Sequence, residues 1–129
     1  MPELPEVETT IRYLDSKVNG KKILSIKTSK KKLRKNLHTK DLSLIEGSTI
    51  KFINRKAKYI VLTLKPLRYL VIHLGMSGRL KFFGKKNYAN EKHDHVVIEF
   101  SQFHVVYNDP RRFGMFFMLG DDKELKNFF

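Results

Sequence analysis

The stretch that decides the fold is KYIVLTLKPLRYLVIHL, residues 58–74. Two runs rich in β-branched and aromatic residues, KYIVLTL (58–64) and RYLVIHL (68–74), flank Pro66, the signature of strands bounded by a breaker. In the first run Ile60, Leu62 and Leu64 fall on one face, as a half-buried strand requires. The apolar spans 59–64 and 69–74 are strand-sized, far below the roughly 20 residues that cross a bilayer. Outward from this centre the pattern recurs in ILSIKT (23–28), TIKFINR (49–55), RLKFF (79–83), HVVIEF (95–100), FHVVYN (103–108) and MFFML (115–119). About eight strands result. They predict a mainly β domain, a two-sheet antiparallel β-sandwich or flattened barrel.

Helices flank the strands. Leu4, Val7, Ile11, Leu14 and Val18 step by three and four, and Asn19-Gly20 supplies a stop, so a helix is expected over residues 5–18. Pro5 suits its first turn, and Glu6 and Glu8 complement the positive end of its dipole. The tail GDDKELKNFF (120–129) reads as a short helix capped at Asp121 or Asp122, leaving Phe128 and Phe129 exposed. Ser101-Gln102 is a tight hairpin turn, and GKKNYANEKHD (84–94) a longer, mobile polar loop.

At 129 residues the chain holds one domain with a real core. It has no cysteine, hence no disulfide, thiol nucleophile or thiolate zinc site, and a cytoplasmic location fits. The acidic start does not resemble a secretion signal. Lys and Arg total 26 against 13 Asp and Glu, a net charge of +13, which attracts polyanions and makes nucleic acid the first candidate partner. The run KKKLRK (30–35) is either a solvated loop or an edge that contacts phosphates.

Against that charge the opening MPELPEVETT is unexpectedly acidic. With Met1 removed, Pro2 is a secondary amine with a pKa of roughly 8, able to attack a sugar C1′ and give an iminium. Glu3 is then placed as a general acid. With Met1 retained, this chemistry does not exist. Met76, between Gly75 and Gly78, sits at a loop tip or in the core. His93 and His95 bracket Asp94, but a third ligand is lacking, so no metal is expected. His95 is instead expected to satisfy a buried hydrogen bond.

MPELPEVET (1–9), RKAKYI (55–60), IHLGMSGRL (72–80), KHDHV (92–96) and YNDPRRFG (107–114), in that order and at fitting spacing, resemble the blocks of the formamidopyrimidine-DNA glycosylases. Leu4, where the related endonuclease VIII type more usually has Gly, favours this branch. The resemblance implies base-excision repair of oxidised purines, 8-oxoguanine and formamidopyrimidines, in damaged double-stranded DNA, with AP lyase strand cleavage. It implies that Pro2 forms the Schiff base, that Glu3 protonates the opening deoxyribose, and that Lys58 lies by the flanking phosphate as a proton donor. It further implies that Met76, Arg111 and Phe113 fill the gap left by a flipped nucleotide and that His93 contacts a phosphate, in a bacterial, nucleoid-associated monomer. From the residues alone, Lys58 reads as a surface strand lysine, Phe113 as easily as packing, and Glu6 equally as a dipole partner or a lining of the lesion pocket.

Family members continue for about as long again, through a helix-two-turn-helix module and a zinc finger, both absent from residues 1–129. The chain therefore corresponds to the N-terminal catalytic domain, with no cofactor of its own and with a separate C-terminal half, or none, as partner. Three readings follow: a glycosylase and AP lyase domain, a catalytically silent remnant that binds damaged DNA, and a basic β-domain that binds RNA or protein.

Overall fold

The computed structural model describes residues 4–129, so Pro2 and Glu3 lie outside the described residues. Helix α1 (Leu4–Val18) is followed by β1 (Ser25–Thr28), the short α2 (Thr39–Ile45), β2 (Thr49–Lys56), β3 (Tyr59–Lys65), β4 (Arg68–His73), β5 (Arg79–Gly84), β6 (Asp94–Glu99), β7 (Phe103–Asn108), β8 (Met115–Leu119) and α3 (Asp122–Phe128). The strands form two four-stranded antiparallel sheets, ordered β2-β3-β4-β8 and β1-β6-β7-β5. This is the expected sandwich of eight strands with an N-terminal and a short C-terminal helix.

One core lies between the sheets. Ile60, Leu62 and Leu64 of β3 meet Val96, Ile98 and Val105 of the opposite sheet, and Val7, Ile11, Leu14 and Val18 of α1 close one side. Leu4 departs from the expected stripe, being exposed at the first turn of α1. The outer face of the β2-β3-β4-β8 sheet carries a second cluster of Val61, Tyr69, Val71, Phe117 and Leu119, against which Phe128 of α3 packs. Phe128 is therefore partly covered rather than exposed, its ring set edge-on to Tyr59 with centroids 5.5 Å apart. Asp121 caps α3 as expected, accepting from Glu124 N at 2.9 Å.

The loop at residues 84–94 is more tied down than its polar composition suggests. Buried Asp94 gathers it, accepting from Glu91 N at 2.9 Å and Tyr88 Oη at 3.2 Å, from Asn108 Nδ2 at 2.8 Å, and pairing with Lys81 Nζ at 2.9 Å. Burial works to raise the Asp94 carboxyl, but these donors and the Lys81 charge outweigh it, and the group stays below its usual range. Burial, then the Asp94 charge, pushes the Tyr88 phenol up to about 12.

Candidate functional site

Two loops meet at one end of the sandwich, residues 74–78 between β4 and β5 and residues 109–114 between β7 and β8. They touch backbone to backbone. A Cβ on Gly75 would stand 2.6 Å from Phe113 C and from Gly114 N, and one on Gly114 would stand 2.5 Å from His73 O and overlap the Tyr107 hydroxyl. Gly75 also has φ +62°, a left-handed conformation that favours glycine.

Asp109, 0 % exposed, locks the pair. Its Oδ1 accepts from Ser77 Oγ at 2.7 Å and Arg112 N at 3.0 Å, and its Oδ2 from Tyr107 Oη and Gly114 N, both at 2.9 Å. Four donors on one buried carboxylate satisfy it fully, as an ionised group in the interior requires. Ser77 relays the link by accepting from Arg111 N at 3.0 Å. Arg112 is held at φ 58°, a strained conformation for a non-glycine residue that its hydrogen bond to Asp109 offsets. Burial, then the charge of Asp109, drives the Tyr107 phenol well above its usual range.

On this rigid base Met76 and Phe113 project outward, 46 % and 44 % exposed. The Arg111 guanidinium lies 4.9 Å over the Phe113 ring. Met76 is thus at a loop tip and not in the core, and Phe113 is not core packing. Apolar side chains exposed on an anchored base are available to a binding partner.

Lys58 is placed by a neighbouring device. It is not on a strand, as its sequence context suggests, but in the turn Ala57-Lys58 that joins β2 to β3, where Ala57 takes φ 52°. Arg55 Nη1 braces this turn by donating to Ala57 O at 2.8 Å, and Arg55 Nε pairs with Glu8 of α1. The opening turns of α1 are thereby fastened to the hairpin that carries Lys58. Glu8 has a structural partner, beyond the dipole role its position predicts.

His73 was not legible as a site residue. It ends β4, nearly buried, with its ring edge-on to Tyr59 at 4.8 Å and its Nδ1 accepting from Gly75 N at 3.0 Å, which leaves Nε2 to carry the proton. Burial first, then the charges of Arg34 and Lys58, hold its pKa below the ordinary value. His95 is the extra residue of a bulge between Asp94 and Val96, and the bulge turns it inward. Its Nε2 lies 2.7 Å from Asp109 O, the buried bond expected of it, and its Nδ1 lies 3.2 Å from Ser29 Oγ in a part-buried contact. His93 is half-buried at the loop end with φ 73°. Desolvation, then Lys92, Lys31, His95 and Arg112, lower its pKa. The three side chains at 93–95 thus face different surroundings, and among the described residues no group of His, Asp and Glu is arranged to hold a metal ion.

The model of the formamidopyrimidine-DNA glycosylase N-terminal domain matches residues 1–116. The chain belongs to this family. The formamidopyrimidine-DNA glycosylase of Wolbachia pipientis from Culex pipiens is 41% identical over 130 residues, covering 100% of this chain and 47% of the relative. That of Zymomonas mobilis is 44% identical over 115 residues, covering 88% of this chain and 42% of the relative. Among solved structures, Lactococcus lactis Fpg (MutM) in complex with DNA containing FAPY-dG superposes with a TM-score of 0.87 at 32% identity, covering 98% of this chain and 47% of that one. The same enzyme with abasic-site DNA gives a TM-score of 0.88 at 32% identity, with the same coverage. The chain spans about half the length of the relatives it matches. Within the family domain the structure brings Met76, Arg111 and Phe113 onto one pair of loops, sets His93 beside them, and puts Lys58 at the hairpin braced to α1.

Proposed function

We propose that this chain is the N-terminal catalytic domain of a base-excision repair enzyme, a DNA glycosylase with AP lyase activity on oxidised purines in duplex DNA. The observation that carries the reading is the rigid pair of loops that presents Met76, Arg111 and Phe113 to solvent over buried Asp109. An enzyme that works on a base must take it out of the stack, and apolar wedges offset an unstacking cost of a few kcal/mol. Support comes also from the solved relatives, which hold DNA with a FAPY-dG or an abasic site.

In this reading the Pro2 amine attacks C1′, the damaged base leaves with its bonding electrons and is protonated, and the amine sheds its proton to leave a closed-ring aminal. Glu3 gives a proton to the ring oxygen as the C1′–O4′ bond breaks, and the nitrogen lone pair completes the C1′ iminium of the opened deoxyribose. Loss of a C2′ proton then expels the 3′-phosphate, with Lys58 as proton donor beside it, and His93 contacts a backbone phosphate. The steps draw on an amine, a carboxylate and a lysine and call for no metal or cofactor in residues 1–129. The setting is a monomer, with or without a separate C-terminal half, at the bacterial nucleoid.

Borohydride trapping tests the proposal. Wild-type protein should become covalently linked to duplex carrying 8-oxoguanine or an abasic site, and Pro2→Gly should not. Salt-sensitive binding with no trapping by wild-type would leave a DNA-binding domain without chemistry.

A further inference from the structure

The segment SKKKLRK, residues 29–35, takes no part in the chemistry above, and its side chains divide into two sets. Leu33 is buried, and Lys35 turns back over the rings of Phe117 and Phe128 at 4.9 and 5.6 Å. Lys30, Lys31 and Lys32 project into solvent. Three adjacent cations repel one another, so a free loop of this composition would spread; this one is tied at both ends. Ser29 N donates to His95 O at 2.9 Å. At the other end Arg34 N donates to Gly114 O at 3.0 Å, Arg34 Nε donates to Phe113 O, and Phe116 N donates to Lys35 O at 3.0 Å. A reciprocal pair between Leu33 and Asn36 closes the turn, with Leu33 N to Asn36 Oδ1 at 2.8 Å and Asn36 Nδ2 to Leu33 O at 3.1 Å.

Both anchors belong to the framework of the loop tips, since His95 also meets Asp109 O at 2.7 Å and Gly114 donates to Asp109. The arm therefore stands in fixed register beside Arg111 and Phe113. Under the lysines lies a recess of about 180 Å³, lined on its polar side by Thr28, Ser29, Asn36 and Thr39. Lys31 of the arm acts with Lys92 and Arg112 on His93, whose backbone carbonyl accepts from Asp109 N at 3.0 Å. The positive charge of the arm thus adds to that of the loop tips, and the repeated anions along one backbone are the chemistry that suits it.

We propose that Lys30, Lys31 and Lys32 form a phosphate clamp that grips the backbone of duplex DNA beside the loop at residues 109–114. The proposal rests on the reading of the chain as a DNA-binding repair domain. It adds a contact that precedes chemistry and is independent of the lesion.

The test is the salt dependence of duplex binding, measured for wild-type, K30Q/K31Q/K32Q and K85Q/K86Q. The last pair lies past Gly84, at the opposite end of β5 from the loop tips. Each neutralised phosphate contributes about 0.9 to the log–log slope, so the triple variant should lose roughly 2 to 3 from it and the control pair less than about 1. Borohydride trapping at saturating protein and low salt is read in parallel, and should be retained by the triple variant. A triple variant with the wild-type slope overturns the clamp, even where wild-type traps normally. A steep wild-type slope that falls in the triple variant, with no trapping by any protein, upholds the clamp and removes the lyase reading. A flat wild-type slope overturns both.

Discussion

Replacing Asp109 by Asn probes the device that joins the two loops. The carboxylate accepts four hydrogen bonds, and an amide must turn an NH2 toward two of the donors. The cheaper orientation puts that NH2 at the Oδ1 position. There the Ser77 hydroxyl rotates to accept, and Arg112 N keeps the main-chain carbonyl of residue 109 at 3.3 Å. The Oδ2 position must stay an acceptor, because Gly114 N has no freedom to turn away. A hydrogen bond to a charged acceptor contributes about 1.5–3 kcal/mol, so losing one bond and weakening the others costs about 2–4 kcal/mol. With an unfolding entropy of about 2 cal/mol/K per residue, that corresponds to a fall in Tm of roughly 10 °C. Thermal unfolding by circular dichroism measures it, and duplex binding measured well below the new Tm should fall at least about tenfold as the loops separate. A Tm within about 3 °C of wild-type, with binding intact, would refute the role assigned to Asp109.

Gly114→Ala should be more damaging than a surface glycine replacement, because its Cβ overlaps the Tyr107 hydroxyl and crowds His73 O; a loss of soluble expression or a Tm fall beyond about 10 °C is expected. Met76→Ala with Phe113→Ala should leave Tm within about 2 °C, since both side chains are exposed and outside the core clusters, yet weaken binding to lesion duplex about 10- to 100-fold in a fluorescence titration. His73 has its pKa lowered on folding, so the unfolded chain takes up the proton first as pH falls. Its contribution to stability is complete above the ordinary imidazole pKa and declines as pH drops below it toward the folded value. Wild-type should therefore lose more Tm than His73→Gln between about pH 7 and 5, and parallel curves would contradict the assignment.

The strands were legible as short runs of β-branched and aromatic residues, continuous in β3 and β4 because those strands are buried on both faces, and each boundary lies within two residues of its expected position. Helix α2 was not foreseen: seven residues, started by Asp41 reaching back to His38 N at 2.8 Å, are too few to show a helical stripe. The bulge that turns His95 inward has no period to announce it. The site divides in the same way. The blocks around Met76, Lys58 and Arg111 could be read as a resemblance, but what binds them together could not. Asp109 appeared only inside the YNDPRRFG block, and its four donors come from three separate parts of the chain. Likewise nothing in the basic run at residues 30–35 announces that Arg34 and Lys35 are tied to the loop and the last strand. Pro2 and Glu3 stand on sequence and family alone, outside the described residues.

The most direct test of the account is therefore the identity of the residue that joins DNA. After borohydride reduction on abasic-site duplex, the linked protein is digested and the DNA-bearing peptide is sequenced by mass spectrometry, with the N-terminus of the free protein read in the same experiment. The account predicts a chain that begins at Pro2, with the deoxyribose remnant on the proline nitrogen. Attachment to Lys58 or any other lysine, or no attachment by protein shown to begin at Pro2, would contradict it.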